Sequence, residues 1–300
     1  MKSLPLTLAF LILSNSAIYS QGGSAGFAIL KIGFTARELS LGGSADVIST
    51  DPVAVLTNPA SLTFSQEEAY SSHFTLTHQQ YIAGSTIDFL GSRFRVNGIG
   101  FGTAVLISSI PGIEVRTEPG PPQAIFSAKD FLFSFGAGKS FRNLDFGISA
   151  AYLYEKIFVY ESQGLAFNAG LRYHLIENVV IGISAGNIGS ASKMAYQPIA
   201  LPVFIRAGGS YRHKFSQEFS ATGYIGFHTF KSGGIHAAVG GEVGYMQMIY
   251  LRAGYSSGKD LTGMSFGAGF SYKFVRLDYS YVPLKLDFGN SQTFSLSFAI

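Results

Sequence analysis

The sequence predicts an all-β fold, a transmembrane antiparallel β-barrel of about fourteen strands with a short N-terminal helical plug. Two observations lead to this expectation. From about residue 67 onward, successive stretches alternate large apolar residues with small or polar ones, the pattern of strands with two different faces. Charged residues make up 13% of the chain and apolar residues 47%, whereas soluble domains normally carry about a quarter charged residues.

Composition excludes several classes of function. The chain has no Cys, which excludes disulfides, thiolate metal sites and thiol catalysis. The net charge of +3 and the lack of a basic cluster argue against a nucleic-acid partner. We expect no cofactor.

Residues 1–20 have the features of a cleaved secretory signal. Lys2 provides the positive start, Leu4 to Leu13 the apolar core, and Ala17 to Ser20 a small-residue exit. An apolar core of about ten residues is too short for a membrane-spanning helix, which needs about 20. We therefore expect export to the outer membrane of a Gram-negative cell.

Residues 21–65 are expected to form a plug, or hatch, inside a barrel of residues 66–300. Thr35 and Glu38 have the spacing of a capping box at a helix start. The helix is expected to run from Ala36 to Leu41 and to end at Gly42 and Gly43, because Gly tolerates the left-handed conformation of a helix C-terminus.

Two further helix starts are expected in the plug. Asp51 followed by Pro52, and Asn58 followed by Pro59, each match a helix N-cap with Pro at the first helical position. The apolar segments that follow are too short to be stable helices in water, so the barrel is expected to surround them.

Fourteen alternating stretches are expected to be the strands. Short turns such as Arg142–Asn143 and Met246–Gln247 follow the even strands, while longer loops such as 109–124 and 187–202 follow most of the odd ones. Short turns on one rim and long loops on the other are typical of an outer-membrane barrel. The expected strand centres are Phe74, Thr86, Phe101, Phe133, Ser149, Asn168, Ile183, Ala207, Thr222, Ala238, Leu251, Gly267, Tyr279 and Ser297.

The chemistry of the two strand faces favours lipid outside and a polar lumen inside. One face is almost entirely aliphatic and aromatic, and the other is Gly, Ser, Ala, Asn and a few charges. If the apolar face is turned outward, the charges lie in the lumen, where pairing offsets the cost of burying them. The residues expected to point inward are Glu155, Arg172, Arg206, Glu242, Arg252, Lys273, Arg276 and Asp278.

Several short motifs, spread in order over the mature chain, resemble the PorV/PorQ group of outer-membrane proteins, which belong to the wider FadL-like barrel class. The matching residues are Ala36-Arg37, Leu41-Gly42-Gly43, Asp51, Asn58-Pro59-Ala60, Leu62, Tyr154-Glu155-Lys156, Gly164 to Phe167, Gly186 to Gly189, Leu201-Pro202, Arg252 to Tyr255 and Asp278 to Pro283.

This resemblance implies a fourteen-stranded barrel with an N-terminal hatch and a role in type IX protein secretion. Relatives in that pathway bind the C-terminal signal domain of exported cargo or anchor the surface machinery that attaches it. The chain is shorter than expected for the cargo-binding PorV type, whose extracellular loops are larger.

Candidate chemical sites have structural explanations that we consider stronger. Gly182 to Gly186 match the nucleophile-elbow pattern G-x-S-x-G, but a loop follows where the mechanism needs a helix. The six His residues show no metal-ligand spacing, although His174, His228 and His236 are expected to face the lumen. We therefore expect no enzyme activity and no metal site.

The lumenal arginines have two explanations. Arg172, Arg206 and Arg252 either bind an anionic ligand or, in the favoured interpretation, pair with acids of the wall and plug. The acids considered are Glu155, Glu242, Asp278, Glu38 and Asp51. The Pro-rich loop around Gly120 is expected to be an ordinary extracellular loop, and a partner contact is the alternative.

Three hypotheses for function follow. The leading one is a non-enzymatic component of type IX secretion that binds secretion-machinery subunits or cargo signal domains. The alternative is a FadL-like channel for hydrophobic small molecules, which predicts an apolar pocket at the hatch. A soluble secreted β-protein is the third and weakest. Lipid is the expected surrounding in the first two.

Overall fold

The computed structural model describes residues 26–65, 68–231, 233–258 and 261–300. The expected signal segment, residues 1–20, lies outside the described residues. The described part of the plug is residues 26–65, and the name plug is used for this segment below.

Fourteen strands follow the plug, and each of the fourteen expected strand centres lies within one of them, which confirms the expected strands. The strands are β1 Ser72–Gln80, β2 Thr86–Val96, β3 Ile99–Val115, β4 Ala124–Phe141, β5 Leu144–Ile157, β6 Tyr160–Ile176, β7 Val179–Ala191, β8 Phe204–Lys214, β9 Phe219–Phe230, β10 Ile235–Tyr245, β11 Ile249–Ser257, β12 Met264–Tyr272, β13 Val275–Pro283 and β14 Asn290–Ala299.

The strands form a closed antiparallel barrel. Each strand pairs with its neighbours in sequence, and β1 also pairs with β14, so that Leu76 lies opposite both Leu90 and Leu296. Closure leaves no strand edge unpaired, as a sheet in lipid requires. The expected fold class is therefore confirmed.

The two rims differ in the length of their connections. Turns after the even strands have two to four residues, beginning with Asn97–Gly98, both of which have positive φ. An Asn-Gly pair is the preferred sequence for a tight turn of this kind. The connection between β7 and β8, by contrast, runs from residue 192 to residue 203. The rim of short turns, where β1 begins and β14 ends, is the periplasmic one in outer-membrane barrels.

The outer face of the wall is apolar over most of its height. Along β4 and β5 the outward residues include Phe131, Phe133, Phe135, Phe146 and Ile148, all of them exposed. Alternate residues of the same strands, such as Leu132 and Ser149, are buried toward the lumen. Because water would leave so large an apolar surface unfavourably exposed, this face is suited to lipid.

The plug contains two short helices and two four-residue 3-10 turns. Helix α1 spans Ala36–Ser40 and helix α2 spans Ala54–Thr57, while Ala28–Lys31 and Pro59–Leu62 form 3-10 turns. In the described ranges, no helix has the length and apolar character needed to cross a bilayer. The plug runs through the lumen from Gly26, near Ile199 in the β7–β8 loop, to the periplasmic start of β1.

The plug backbone touches the inner face of the wall, and glycine makes this approach possible. A Cβ added at Gly147 would meet the carbonyl group of Pro59, and one added at Gly254 would lie 2.5 Å from the Gly42 nitrogen. Glycines at inward positions face the plug around most of the barrel circumference. They include Gly91, Gly100, Gly102, Gly136, Gly138, Gly147, Gly170, Gly182, Gly226, Gly240, Gly254 and Gly267.

We predict that Gly147→Ala lowers the free energy of unfolding by about 2 kcal/mol, because the added Cβ overpacks the contact between the plug and the wall. The matched control is Gly223→Ala on β9, where an added Cβ has no atom within 4 Å. Urea unfolding of the detergent-solubilised protein measures the free energy of unfolding. Equal values for the two variants would contradict the close approach at Gly147.

Candidate functional site: the plugged lumen

Local sequence determines the start and end of helix α1. The Thr35 hydroxyl accepts from the Glu38 amide at 3.3 Å, and a Glu38 carboxyl oxygen accepts from the Phe34 amide at 2.9 Å. A capping box normally returns the Glu to the Thr amide, so the reciprocal bond here lies one residue earlier. After the helix, Gly42 and Gly43 have positive φ and carry the chain around.

Asp51 does not cap a helix, and this part of the sequence interpretation is wrong. Helix α2 begins after Val53 without a side-chain cap. The Asp51 carboxylate instead accepts from the Ser49 hydroxyl at 2.9 Å and forms an ion pair with Arg37 at 3.3 Å. The ion pair with a distant arginine therefore replaces the local capping bond.

Asn58 does cap the turn that follows it. Its side-chain oxygen accepts from the Ala60 amide at 3.1 Å, with Pro59 at the first position of the turn. Its side-chain nitrogen donates to the Val47 carbonyl at 2.6 Å and to the Leu171 carbonyl of β6 at 3.3 Å. The same amide thus fixes the turn and connects the plug to the wall.

A network of charges joins α1 to strands β10, β11 and β13. Arg37 pairs with Glu242 at 3.2 Å, and Arg252 pairs with Glu242 at 2.5 Å and with Asp278 at 2.8 Å. Arg276 pairs with Asp278 at 2.8 Å. We call these residues, together with Asp51, the charge network. The alternating signs offset the cost of burying each charge.

Two further arginines pair with acids that sequence reasoning did not name. Arg172 pairs with Asp145 at 2.8 Å, and Arg206 pairs with Asp46 of the plug at 3.4 Å. The partner of Glu155 is not a cation: its carboxylate accepts from the Phe27 amide at 3.2 and 3.3 Å. Of the expected inward residues, Lys273 lies in the β12–β13 turn beside the periplasmic cavity.

Arg93 on β2 is the main plug contact that sequence reasoning missed. Its guanidinium donates to the carbonyl groups of Leu62, Thr63 and Thr50, pairs with Glu68 at 2.7 Å and stacks on Phe64. It is 1% exposed. Alternation along β2 places Arg93 on the inward face, and this was the signal available in the sequence. Its partners could not be predicted, because they are distant in sequence or lie in irregular structure.

The other side of the lumen is apolar. Phe27, Ile29, Leu30 and Phe34 of the plug belong to one buried cluster with inward residues of the wall. The cluster also includes Val53 to Leu56 and Leu62 of the plug, Ala166 of β6 and Leu201 of the β7–β8 loop. Its large wall side chains lie on the adjacent strands β2 to β5, and we call them the apolar seam: Ile87, Phe89, Leu106, Leu132 and Leu153. The Phe34 and Phe89 rings stack with centroids 6.3 Å apart. An apolar inner wall is unusual, because lumens of such barrels are typically polar.

The cavities differ from the expectation of an apolar pocket at the hatch. The cavity beside α1 has a volume of about 50 Å³ and is lined by Glu38, Asp46 and Arg206 among others. A larger cavity, about 620 Å³, lies on the periplasmic side and has a mixed polar and apolar lining that includes Arg37, Asp51 and Arg276. The apolar cluster itself is filled by plug side chains.

The plug carboxyls have opposite pKa shifts. Burial raises the pKa of Glu38 to about 8, and the adjacent Asp46 carboxylate adds to the increase. Burial also acts to raise the pKa of Asp51, but Arg37, Arg276 and the Ser49 hydroxyl outweigh it and lower that pKa to about 2. At neutral pH Glu38 is therefore protonated, whereas Asp51 is charged.

Ser184, the Ser of the G-x-S-x-G motif, has a structural role. It lies within β7 at 2% exposure, and its hydroxyl donates to the Thr57 carbonyl at 2.8 Å. His228 and His236 lie opposite each other on β9 and β10 with ring centroids 4.9 Å apart. Among the described residues, no group of three or more His, Cys, Asp or Glu is placed to hold a metal ion.

A closed antiparallel barrel of fourteen strands, with an apolar outer face and an N-terminal segment in its lumen, is the fold of FadL-like outer-membrane β-barrels. No protein-family model matches the sequence, and no curated protein matches it.

Solved structures do match the fold. A crystal structure of the P. putida toluene transporter TodX has a TM-score of 0.63 and 14% identity over 89% of this chain and 99% of that chain. The CymD monoaromatic hydrocarbon channel has a TM-score of 0.63 and 15% identity over 89% and 98% of the two chains. Identities this low show a shared fold only. They support the FadL-like part of the resemblance and add nothing to its PorV/PorQ part.

We predict that Arg93→Met destabilises the protein by about 3 kcal/mol, because it leaves plug carbonyl groups and Glu68 without their buried cationic partner. The control is Arg95→Met on the same strand, where the guanidinium makes an exposed bond to the Ser65 carbonyl at 3.4 Å. That change is expected to cost less than about 1 kcal/mol. Urea unfolding in detergent compares them, and similar losses would contradict the role given to Arg93.

The raised pKa of Glu38 predicts a pH dependence of stability. A carboxyl whose pKa is higher in the folded state stabilises that state fully below its unfolded pKa, and the stabilisation is lost as pH rises toward the folded pKa. Between pH 5 and pH 9, the wild type should therefore lose about 4 kcal/mol more than Glu38→Gln, which keeps a hydrogen-bond donor but cannot ionise.

The control for this measurement is Glu161→Gln, which removes a fully exposed carboxyl on β6. It should show the same pH dependence as the wild type. Identical pH dependence in Glu38→Gln and the wild type would show that Glu38 does not hold a proton in the folded protein.

Proposed function

We propose that this outer-membrane barrel is a channel for hydrophobic small molecules. The observation that carries the proposal is the apolar seam, a strip of inward-facing aliphatic and aromatic side chains on β2 to β5. A hydrophobic solute on this strip replaces the apolar contacts of the plug with its own, so the apolar surface stays buried during passage. An ion or a sugar would lose hydration there without compensation.

The path requires movement of the plug segment around Phe27 to Phe34. These side chains are buried against the seam, and a solute has to displace them. The remaining plug is joined to the wall by the charge network and by Arg93, and its residues Val53 to Leu56 and Leu62 stay packed in the same apolar cluster. We therefore propose that the segment from Phe27 to Phe34 moves while the rest stays in place. The TodX and CymD structures, described as a toluene transporter and a monoaromatic hydrocarbon channel, have the same fold and support this choice of solute.

We predict that Leu132→Asn and Leu153→Asn each lower toluene uptake about tenfold, because a buried amide on the seam is an unfavourable neighbour for a hydrocarbon. Uptake of radiolabelled toluene is measured in cells that express the barrel as their added outer-membrane channel. Leu132→Met, which conserves volume and polarity, should retain uptake.

Val180→Asn is the matched control, because Val180 packs against the smaller cluster of Leu41, Ala45 and Ile48 outside the seam. Outer-membrane levels of all variants are compared by their heat-dependent migration on gels. Uptake that is independent of the barrel, or equal in the seam and control variants, would contradict the proposal.

Type IX secretion is the second candidate, and a specific surface favours it besides the sequence resemblance. The tips of the β3–β4 and β5–β6 hairpins carry exposed apolar side chains, including Ile125, Phe158 and Val159. Such residues at an extracellular tip suit a protein partner. Purification of the tagged barrel from its native membrane distinguishes the candidates: co-purifying secretion subunits or a cargo signal domain would support this role.

A further inference from the structure

Two carboxylates face the lumen directly above the apolar seam. Asp130 on β4 lies opposite Glu155 on β5, and the next inward pair toward the periplasm is Leu132 opposite Leu153. On β3, Ser108 pairs with Asp130 and Leu106 pairs with Leu132, so each lies at the same height in the wall as its partner. The extracellular end of the seam therefore has two layers of inward side chains. Asp130 and Glu155 form the acidic level, and Leu106, Leu132 and Leu153 form the leucine level just below it.

The negative charge at this level is not neutralised by a nearby cation. Within the described ranges, neither carboxylate lies at ion-pair distance from Lys, Arg or His. Ser108 lies opposite Asp130 on β3, and Glu155 accepts from the Phe27 amide. Lys129 and Lys156 are adjacent in sequence, but alternation places them on the outer face of the wall.

The surroundings place these carboxylates on the route to the seam. On the extracellular side of the pair, the Phe126 and Phe158 rings pack with centroids 5.2 Å apart. On the periplasmic side, the leucine level continues into the cluster that holds Phe27 and Leu30. From the extracellular end toward the periplasm, the side chains along β4 and β5 are therefore apolar rings, then two carboxylates, then aliphatic side chains.

We propose that Asp130 and Glu155 form a charge filter that rejects hydrophobic carboxylates and admits uncharged or cationic hydrophobic molecules. The inference rests on the proposed function as a channel for hydrophobic molecules and specifies the charge class of its solutes. The pair acts as a barrier at the mouth of the seam. A like charge brought within a few ångströms of two carboxylates that have no cationic partner is slowed by about tenfold or more on electrostatic grounds.

The experiment compares three probes with one aromatic ring and different charge at neutral pH: benzyl alcohol, benzylamine and benzoate. Their rates of barrel-dependent uptake are measured in proteoliposomes that hold the full chain. In the wild type, benzoate should be at least about tenfold slower than benzyl alcohol, and benzylamine should be no slower than benzyl alcohol. Asp130→Asn should raise the benzoate to benzyl alcohol ratio about tenfold.

Glu161→Gln is the matched control, because it removes one carboxylate at similar height on the outer face, where Glu161 pairs with Lys156. Its ratio should equal that of the wild type. Glu155→Gln provides a second variant, in which the amide oxygen still accepts from the Phe27 amide. It should raise the benzoate ratio in the same direction as Asp130→Asn.

The outcomes separate the filter from the channel. If the wild type passes none of the three probes, the proposed function fails and the filter fails with it. If benzyl alcohol passes and benzoate passes equally well, or if Asp130→Asn and Glu155→Gln leave the ratio unchanged, the filter is overturned while the channel stands. A ratio that rises equally in Glu161→Gln would also overturn it, because overall charge would then account for the effect.

Discussion

The close approach of the plug backbone to the inner wall is the constraint on which the other features depend. Gly138 and Gly240 show its scale, since a Cβ added there would lie 2.7 Å from the Pro59 oxygen and 2.9 Å from the Leu41 oxygen. A wall without side chains at these positions lets the plug carbonyl and amide groups reach wall groups such as Ser184 and Ser265. Segments too short to be stable helices in water are then held by the wall.

The lumen is divided into two halves with different chemistry. Strands β10 to β13 supply the charge network, while β2 to β5 supply the seam. A buried ion pair resists separation because each partner left alone would be a desolvated charge. An apolar contact has no such penalty when another apolar group takes its place. The division therefore leaves the seam as the side on which one occupant can be exchanged for another.

The sequence was sufficient for the strands because alternation is a local signal with a period of two residues. Thr35 and Asn58 were also predictable, since a cap and its partner lie within three residues of each other. Asp51 was not, because its partner Arg37 belongs to another helix and the choice between cap and ion pair is made in three dimensions. The same holds for Asp145 and Asp46: inward charges were recognised, but the register that pairs them with Arg172 and Arg206 depends on barrel closure.

The contacts along the plug indicate which of its segments opens first. From Arg37 to Thr63 the plug is joined to the wall by charge pairs and by hydrogen bonds of Asn58 and Arg93, in addition to the apolar packing of Val53 to Leu56 and Leu62. From Phe27 to Phe34 the wall contacts are mainly apolar, apart from the bond between the Phe27 amide and Glu155. We infer that this segment has the lowest free energy of local opening, because a hydrophobic solute stabilises the vacated seam and does nothing for a separated ion pair. The carboxylate that holds Phe27 is also one of the two in the proposed charge filter, so in this proposal closing the plug and selecting the solute act through the same residue.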